Sequence, residues 1–185
     1  SNNAYRDRVN IFEYQKFKTY TISLDITTAQ SNRETTILEF GVFKVNQKDA
    51  DILFYLNGVF ISKRNVTIGT RTNFDVVYDG SSLVVYNKGF ESSRTNVGPG
   101  VELYGSDLFF GYDKTQNVDN LFVSTLHNCR LVKGIQYVGD HRYEEFIDID
   151  IMKFGSYYYS SSKSVNMYEF GVPLSKPKHD GVTVD

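Results

Sequence analysis

Two strands joined by a tight turn can be recognised in a single stretch, Phe74-Asp75-Val76-Val77-Tyr78-Asp79-Gly80-Ser81-Ser82-Leu83-Val84-Val85-Tyr86-Asn87-Lys88-Gly89. Its aromatic and β-branched residues favour a pleated, half-buried surface. Asp79 and Gly80 interrupt them with the residue types that a tight turn needs. We therefore predict a strand over 73–78, a turn at 79–80 and a returning strand over 83–86.

Alternation with a period of two extends in both directions from this hairpin. Residues 19–28 place small polar side chains between Tyr20, Ile22, Leu24 and Ile26, which predicts a strand with one face in solvent and one in the core. Asn57-Gly58 predicts a second hairpin turn. Further strands are predicted over 36–43, 51–56, 59–62, 65–70, 107–112, 121–132, 146–154 and 165–170, and a long loop with at most one short strand over 88–105.

Roughly ten short strands, turns at short intervals and almost no helical periodicity predict an antiparallel jelly-roll β-sandwich. The length of 185 residues fits a single β-sandwich domain over 1–185. The net charge of -2, without a basic stripe, argues against a nucleic-acid partner. No apolar run approaches the roughly 20 residues that cross a bilayer, which argues against membrane insertion. Cys129 has apolar neighbours and is predicted to be a buried hydrophobic residue.

The opening stretch resembles the laminin-G-like branch of the concanavalin A-like lectin-type fold. In that family a strand leads to an aspartate-glycine turn, a segment rich in Ser and Thr, and a strand that ends in Tyr-x-Asn-Gly. Lys88 interrupts the usual Asn-Gly pair here, and Phe74 stands near the place of a tryptophan that is frequent in the family. A second block, Arg130-Leu131-Val132-Lys133-Gly134-Ile135-Gln136-Tyr137, is similar to the closing strand and turn of such domains in phage and viral structural proteins.

The resemblance covers about residues 17–140, and residues 141–185 lie outside it as C-terminal strands and tail. It implies a domain that binds a carbohydrate or protein ligand and is not an enzyme. It also implies a viral, phage or extracellular attachment or structural protein, located outside the cell or on the virion surface. The turn and strand motifs that carry the resemblance specify the fold far better than the function.

Tyrosines are the candidate ligand-binding residues, because sugar recognition combines an aromatic platform with polar side chains. The chain has 14 Tyr and no Trp. The candidates are Tyr104, Tyr112, Tyr157, Tyr158 and Tyr159. For each of them, a place in the core or against the sheet is the competing interpretation.

The sequence also contains acidic residues that bear on two other kinds of chemistry, glycoside hydrolysis and metal binding. Asp148-Ile149-Asp150-Ile151-Met152-Lys153 resembles the Glu-Ile-Asp-Ile-x-Glu strand of β-glucan hydrolases, but Lys153 stands near the place of the acid that glycoside hydrolysis requires. No histidines or cysteines have a metal-ligand spacing, and we predict no metal site or cofactor. Calcium stays open as an alternative at loop acids such as Asp79, Asp113 and Asp119.

The leading interpretation is a non-enzymatic domain that binds a glycan or a cell-surface receptor. The first alternative is a structural, oligomerisation or protein-binding module that forms a homo-oligomer within a larger assembly. The remote alternative is a glycoside hydrolase centred on Asp148 and Asp150.

Overall fold

The structure is a computed structural model that describes residues 4–10, 16–104, 107–111, 113–115, 124–142, 156–160, 166–169, 172–173 and 179–184. Every regular element in these residues is a β-strand. The strands are β1 (Ala4–Asn10), β2 (Lys16–Phe17), β3 (Tyr20–Thr27), β4 (Thr35–Phe40), β5 (Phe43–Lys48), β6 (Asp51–Leu56), β7 (Val59–Asn65), β8 (Arg71–Tyr78), β9 (Ser82–Asn87), β10 (Phe90–Asn96), β11 (Leu103–Tyr104), β12 (Asp107–Phe110), β13 (Thr125–Lys133), β14 (Ser156–Ser160), β15 (Asn166–Glu169), β16 (Val172–Pro173) and β17 (His179–Val184).

The strands form two large antiparallel sheets and one small ribbon. The seven-stranded sheet has the order β17-β1-β12-β4-β5-β6-β7, and the eight-stranded sheet has the order β10-β9-β8-β3-β13-β14-β15-β16. β11 pairs with β2 in the ribbon. Among the described strands, β7 and β10 therefore end their sheets, and the hydroxyls of Ser62 and Ser93 bring these two edges to 3.5 Å.

The inner faces of the two sheets share one hydrophobic core. Aromatic side chains connect them in pairs: Tyr20 with Phe43 at 6.4 Å and Phe54 with Phe74 at 5.8 Å between ring centroids. Edge-to-face contacts of this kind stabilise a core beyond the area they bury. The predicted β-sandwich of the concanavalin-like kind is confirmed.

Several predicted strand boundaries were wrong, and glycine positions explain two of the errors. The segment predicted as one strand over 36–43 is split between β4 and β5, because Gly41 turns the chain with a φ of 56°. The predicted strand over 65–70 is a turn after β7, in which Gly69 has a φ of 81°. The predicted loop over 88–105 contains the full strand β10, whose polar sequence gave no hydrophobic alternation.

The prediction that β3 turns one face to solvent was also wrong. Thr21, Ser23 and Asp25 are as deeply buried as the core residues between them. Residues 134–142, which we call the cover loop, lie over the part of this face that holds Thr21 and Ser23, whereas Asp25 pairs with Arg71 of β8. Thr21 shows the contact directly: its hydroxyl donates to the Gly134 carbonyl at 3.0 Å and accepts from the Gln136 backbone N–H at 3.0 Å.

The predicted strand over 146–154 lies outside the described residues, and only β15 is described from the predicted strand over 165–170. No helix in the described part of the chain is long and apolar enough to span a membrane.

Candidate functional site

The outer face of the seven-stranded sheet carries a line of cross-strand neighbours. Pairing places Glu39 of β4 beside Lys44 of β5, Lys44 beside Tyr55 of β6, and Tyr55 beside Phe60 of β7. Lys44 and Tyr55 alternate along their strands with core residues, which is why their side chains share the outer face. Directly opposed side chains in such a sheet are close enough to contact each other.

Tyr55 and Phe60 form an exposed aromatic pair on this line. Their ring centroids are 5.9 Å apart with an angle of 73° between the planes. Phe60 is 50% exposed, so an edge-to-face pair lies at the surface and not in the core. The Lys44 ammonium lies 5.3 Å from the centroid of the Tyr55 ring, within the range of a cation–π contact.

A carboxylate is held beside this pair by a chain of hydrogen bonds. The Tyr55 hydroxyl donates to the Glu34 carboxylate at 3.2 Å, and the Asn46 amide donates to the same carboxylate at 2.9 Å. The Thr36 hydroxyl donates to the Asn46 side-chain oxygen at 3.0 Å, which fixes the orientation of the amide. Thr36 is 1% and Asn46 4% exposed, so a buried pair supports an exposed carboxylate.

We call the exposed surface residues and their buried amide support the Tyr55 patch: Glu34, Lys44, Asn46, Tyr55 and Phe60. Burial first, and then the charge and hydrogen bond of Glu34, raise the pKa of Tyr55 above its ordinary value of 10.0. The phenol therefore remains a hydrogen-bond donor at neutral pH. The patch offers a carboxylate acceptor, an ammonium donor and an aromatic surface within one small area.

The outer face of the eight-stranded sheet carries a second polar cluster beneath the cover loop. Asp75 accepts a hydrogen bond from the Ser23 hydroxyl on one oxygen at 2.5 Å, and its other oxygen lies 2.8 Å from the His141 Nε2 atom. The His141 ring stacks on Tyr137, with centroids 3.5 Å apart and an interplanar angle of 4°. Both rings contact Tyr86 edge-on.

These three residue types do not have the connectivity of a hydrolase triad. In a triad the histidine contacts the serine and the aspartate orients the histidine, whereas Asp75 here lies between Ser23 and His141. Further hydrogen bonds tie the loop to the β9–β10 hairpin: the His141 backbone N–H donates to the Gly89 carbonyl and the Glu91 backbone N–H donates to Asp140, both at 2.8 Å. The cluster holds the cover loop in place.

The structure distributes the predicted tyrosines over different sheets. Tyr104 lies on β11 and pairs with Lys16. Tyr157, Tyr158 and Tyr159 lie on β14, where they pair with Leu131, Arg130 and Cys129 of β13. Tyr112 lies outside the described residues. The described candidates do not form one cluster, and their role as ligand contacts stays a prediction.

The acids weighed for calcium or catalysis have other partners or lie outside the described residues. Asp79 accepts hydrogen bonds from the backbone N–H groups of Ser81 and Ser82 at 3.0 and 2.7 Å, which caps the turn. Asp113 accepts from the Thr115 backbone N–H at 3.0 Å. Asp119, Asp148 and Asp150 are outside the described residues. Within the described ranges, no group of three or more His, Cys, Asp or Glu residues could hold a metal ion.

Cys129 is buried, as its apolar neighbours predict, and burial raises the pKa of its thiol far above the ordinary value. A raised pKa keeps the sulfur in the unreactive thiol form.

Sequence reasoning missed the Tyr55 patch although part of it was within reach. The predicted Asn57-Gly58 hairpin already places Tyr55 opposite Phe60, two positions on either side of the turn. The place of Lys44 and Asn46 beside Tyr55 could not be predicted, because β5 was not recognised as a separate strand. Glu34 lies before β4, and a contact between a loop residue and a strand two positions away in the sheet has no local sequence signal.

No family model matches the sequence, and no curated protein matches it either. Solved structures with concanavalin-like β-sandwich folds do match. A candidate carbohydrate-binding protein from Bacteroides ovatus superimposes with a TM-score of 0.68 at 11% identity over 97% of this chain, which spans 60% of that protein's chain. A heptameric SAP-like pentraxin from Limulus polyphemus matches with a TM-score of 0.56 at 11% identity, over 99% of this chain and 95% of its own.

A sialidase from Trypanosoma rangeli, solved in complex with sialic acid, also matches. It gives a TM-score of 0.52 at 12% identity, over 64% of this chain and 21% of the sialidase chain. At these identities the three likenesses establish a lectin-like β-sandwich fold, and they assign no activity.

Proposed function

We propose that this protein is a non-enzymatic glycan-binding domain and that the Tyr55 patch is its binding surface. One observation carries the proposal: the buried Thr36–Asn46 pair holds the exposed Glu34 carboxylate against the half-buried Tyr55, whose ring contacts the exposed Phe60. Buried polar residues that brace an exposed charge are typical of a built binding site, because an ordinary solvated carboxylate needs no such support.

The chemistry of the patch suits a sugar. Sugar rings have apolar faces and hydroxyl-bearing rims, so they pack on aromatic rings and bond with planar polar groups at the side. Tyr55 and Phe60 supply the rings. Glu34 can accept from sugar hydroxyls and Lys44 can donate to them. Because the hydrogen bonds from Asn46 and Tyr55 already fix the carboxylate, little rotamer entropy is lost when a ligand binds.

Binding without catalysis fits the charges of the patch. Glycoside hydrolysis commonly uses a pair of carboxyl groups on either side of the scissile bond. Within the described residues, the patch has one exposed carboxylate, Glu34, and the next acid along the line, Glu39, is buried and accepts from the Lys114 backbone N–H at 2.8 Å. The patch therefore fits recognition better than hydrolysis. The hydrolase alternative centred on Asp148 and Asp150 lies outside the described residues and stays a prediction.

The wider context is part of the same proposal. A B. ovatus structure described as a candidate carbohydrate-binding protein shares the fold, which supports a glycan ligand. We propose that the domain serves an extracellular or virion-surface attachment protein and meets its glycan on a cell-surface receptor. A homo-oligomer within a larger assembly would raise the affinity of such a domain through multivalency.

A glycan array tests the proposal directly. The wild-type domain, Glu34→Gln and Tyr158→Ala are screened side by side, each with and without calcium. We expect wild-type binding to one class of glycan, and loss of that binding in Glu34→Gln, because the amide lacks the charge that accepts sugar hydroxyls strongly. Circular dichroism and thermal melting of each variant establish that it is folded.

The outcomes separate the alternatives. Binding that Glu34→Gln retains and Tyr158→Ala loses would move the site to β14, which carries three of the tyrosines predicted from the sequence. A blank array for the folded wild type would contradict glycan binding. Size-exclusion chromatography of the same sample would then test the oligomerisation alternative.

A further inference from the structure

The row of cross-strand neighbours Glu39, Lys44, Tyr55 and Phe60, which we call the Tyr55 line, is accessible over only a short length, and its two ends differ. Lys44 and Tyr55 are half-buried and Phe60 is exposed, but the next residues along the line, Glu39 and Phe109, are 7% and 8% exposed. The open part therefore covers β5, β6 and β7. Three strands span only about 10 Å across a sheet, since neighbours are about 4.8 Å apart.

One end of the line is closed by a neighbouring segment. The Lys114 backbone N–H donates to the Glu39 carboxylate at 2.8 Å, and this contact places residues 113–115 beside the outer face of β4. Lys114 and Thr115 are themselves exposed, so they stand at the boundary of the open surface. A ligand that lies on Tyr55 meets this segment when it extends past Lys44.

The other end of the line is open. Phe60 lies on β7, which ends the seven-stranded sheet in the described part of the chain. β10 of the other sheet approaches this edge at Ser62, whereas Phe60 itself is 50% exposed. A ligand that lies on Tyr55 and Phe60 can therefore continue beyond the sheet edge. The Tyr55 line therefore has one covered end, at β4, and one accessible end, at Phe60.

Charge indicates which kind of sugar fits. Glu39 is buried and accepts from the Lys114 backbone. The charged side chains beside Tyr55 are therefore one of each sign, Lys44 and Glu34. Lys44 lies over the Tyr55 ring, and Glu34 accepts from the Tyr55 hydroxyl. A balanced surface gives a neutral sugar hydrogen-bond partners of both kinds, whereas a charged sugar gains from one partner and is repelled by the other.

We infer that the Tyr55 patch recognises the end of an uncharged glycan chain: one or two terminal sugar rings lie over Lys44 and Tyr55, and the chain leaves across Phe60 and β7. This inference rests on the proposed function and narrows its ligand. It predicts that the site binds the ends of glycan chains and that its affinity does not depend on chain length beyond the first rings.

A length series tests it by isothermal titration calorimetry. The probes are neutral gluco-, manno- and galacto-oligosaccharides of one to six units, titrated into the wild-type domain. For the class that binds, affinity should rise from the monosaccharide to the disaccharide and change less than twofold with each further unit. A second series carries an O-methyl cap on the non-reducing ring or an aromatic tag on the reducing end. One of the two modifications should weaken binding at least tenfold, and the other should be tolerated.

The contrary results are distinct. Affinity that keeps rising to the hexasaccharide, with both ends tolerant of modification, would overturn the inference and leave glycan binding intact, as would a preference for a uronic-acid series over the neutral one. Failure of every probe and of the array together would refute the proposed function as well. Glu34→Gln in the same titrations shows whether the heat comes from this patch.

Discussion

Two edge hairpins, β6–β7 and β9–β10, have nearly the same local structure. Each turns on a pair of residues with positive φ, Asn57-Gly58 at 52° and 74° and Lys88-Gly89 at 48° and 85°. Each is followed by a seven-residue edge strand with the same order of exposed and half-buried positions. Each contains a register shift that interrupts the edge, a feature that discourages pairing with other chains.

The two hairpins differ in what surrounds the exposed phenylalanine near each turn. Phe60 packs against Tyr55 beside the Glu34 carboxylate. Phe90, which is 68% exposed, instead lies in a hairpin whose backbone is tied to the cover loop through Gly89 and Glu91. The first hairpin has charged and aromatic side chains together on its outer face, and the second is held by hydrogen bonds to the cover loop.

The comparison shows that a turn motif and an exposed ring do not identify a site. The residues that surround each hairpin in the fold make the difference. The first hairpin is surrounded by β4, β5 and the segment before β4, and the second by the cover loop. Our proposal therefore places the binding surface at the hairpin whose neighbour Glu34 is exposed, charged and supported by buried polar residues.

The largest expected effect concerns the support of the second hairpin. Asp75→Ala removes the acceptor of both Ser23 and His141 in a buried position, and we expect it to destabilise the fold by about 2–3 kcal/mol. Urea denaturation measures this change. The matched control in the first hairpin is Asp51→Ala, whose partners Lys63 and Asn65 are exposed. Its cost should be about 0.5 kcal/mol or less.

Equal costs for the two substitutions would show that the cover loop does not depend on Asp75. The proposed difference between β9–β10, supported by the cover loop, and β6–β7 would then be contradicted.

A swap of turn residues should produce a smaller effect with opposite signs. Lys88 occupies a left-handed conformation that asparagine tolerates better than lysine. Lys88→Asn should therefore stabilise the domain by about 0.5 kcal/mol, and Asn57→Lys should destabilise it by about the same amount. Thermal melting of both variants measures the pair. Two changes of the same sign would mean that the turns are not equivalent.

The smallest effect is a dependence on acid at the turn between β8 and β9, where Asp79 lies near Arg94 of the second hairpin. Burial alone would raise the pKa of Asp79, but hydrogen bonds from Ser82 and Ser81 and the charge of Arg94 on β10 outweigh it and lower the pKa below 3.8. Asp79 therefore contributes stability above that pH, and the contribution is lost as the pH falls through the lowered pKa. The stability difference between wild type and Asp79→Asn should shrink between pH 6 and pH 2.5 in urea denaturation series. A constant difference would exclude the linkage.

The sandwich could be predicted from the sequence because its signals are local. The Asp79-Gly80 and Asn57-Gly58 turns and the alternation in β3 each lie within a few residues. The error about the exposure of β3 arose because a local signal conflicts with distant contacts. β3 alternates polar and apolar residues, yet its polar face is buried by the cover loop at Thr21, more than 100 residues away in sequence, and pairs with Arg71 at Asp25.

The site was harder to predict because it combines single residues from several elements. Tyrosine abundance drew attention to Tyr157, Tyr158 and Tyr159, whereas Tyr55 lies in an ordinary strand with one aromatic neighbour across a turn. What distinguishes Tyr55 is the support of Glu34 by Asn46 and Thr36, and no short motif encodes that contact.

The most direct test compares the two exposed phenylalanines. Isothermal titration calorimetry is run on the wild type, Phe60→Ala and Phe90→Ala with the glycan that the array selects. The account predicts that Phe60→Ala weakens binding about tenfold, which corresponds to about 1.4 kcal/mol of lost ring contact, and that Phe90→Ala changes it less than twofold. Equal losses, or a loss only in Phe90→Ala, would contradict the assignment of the binding surface to the Tyr55 patch.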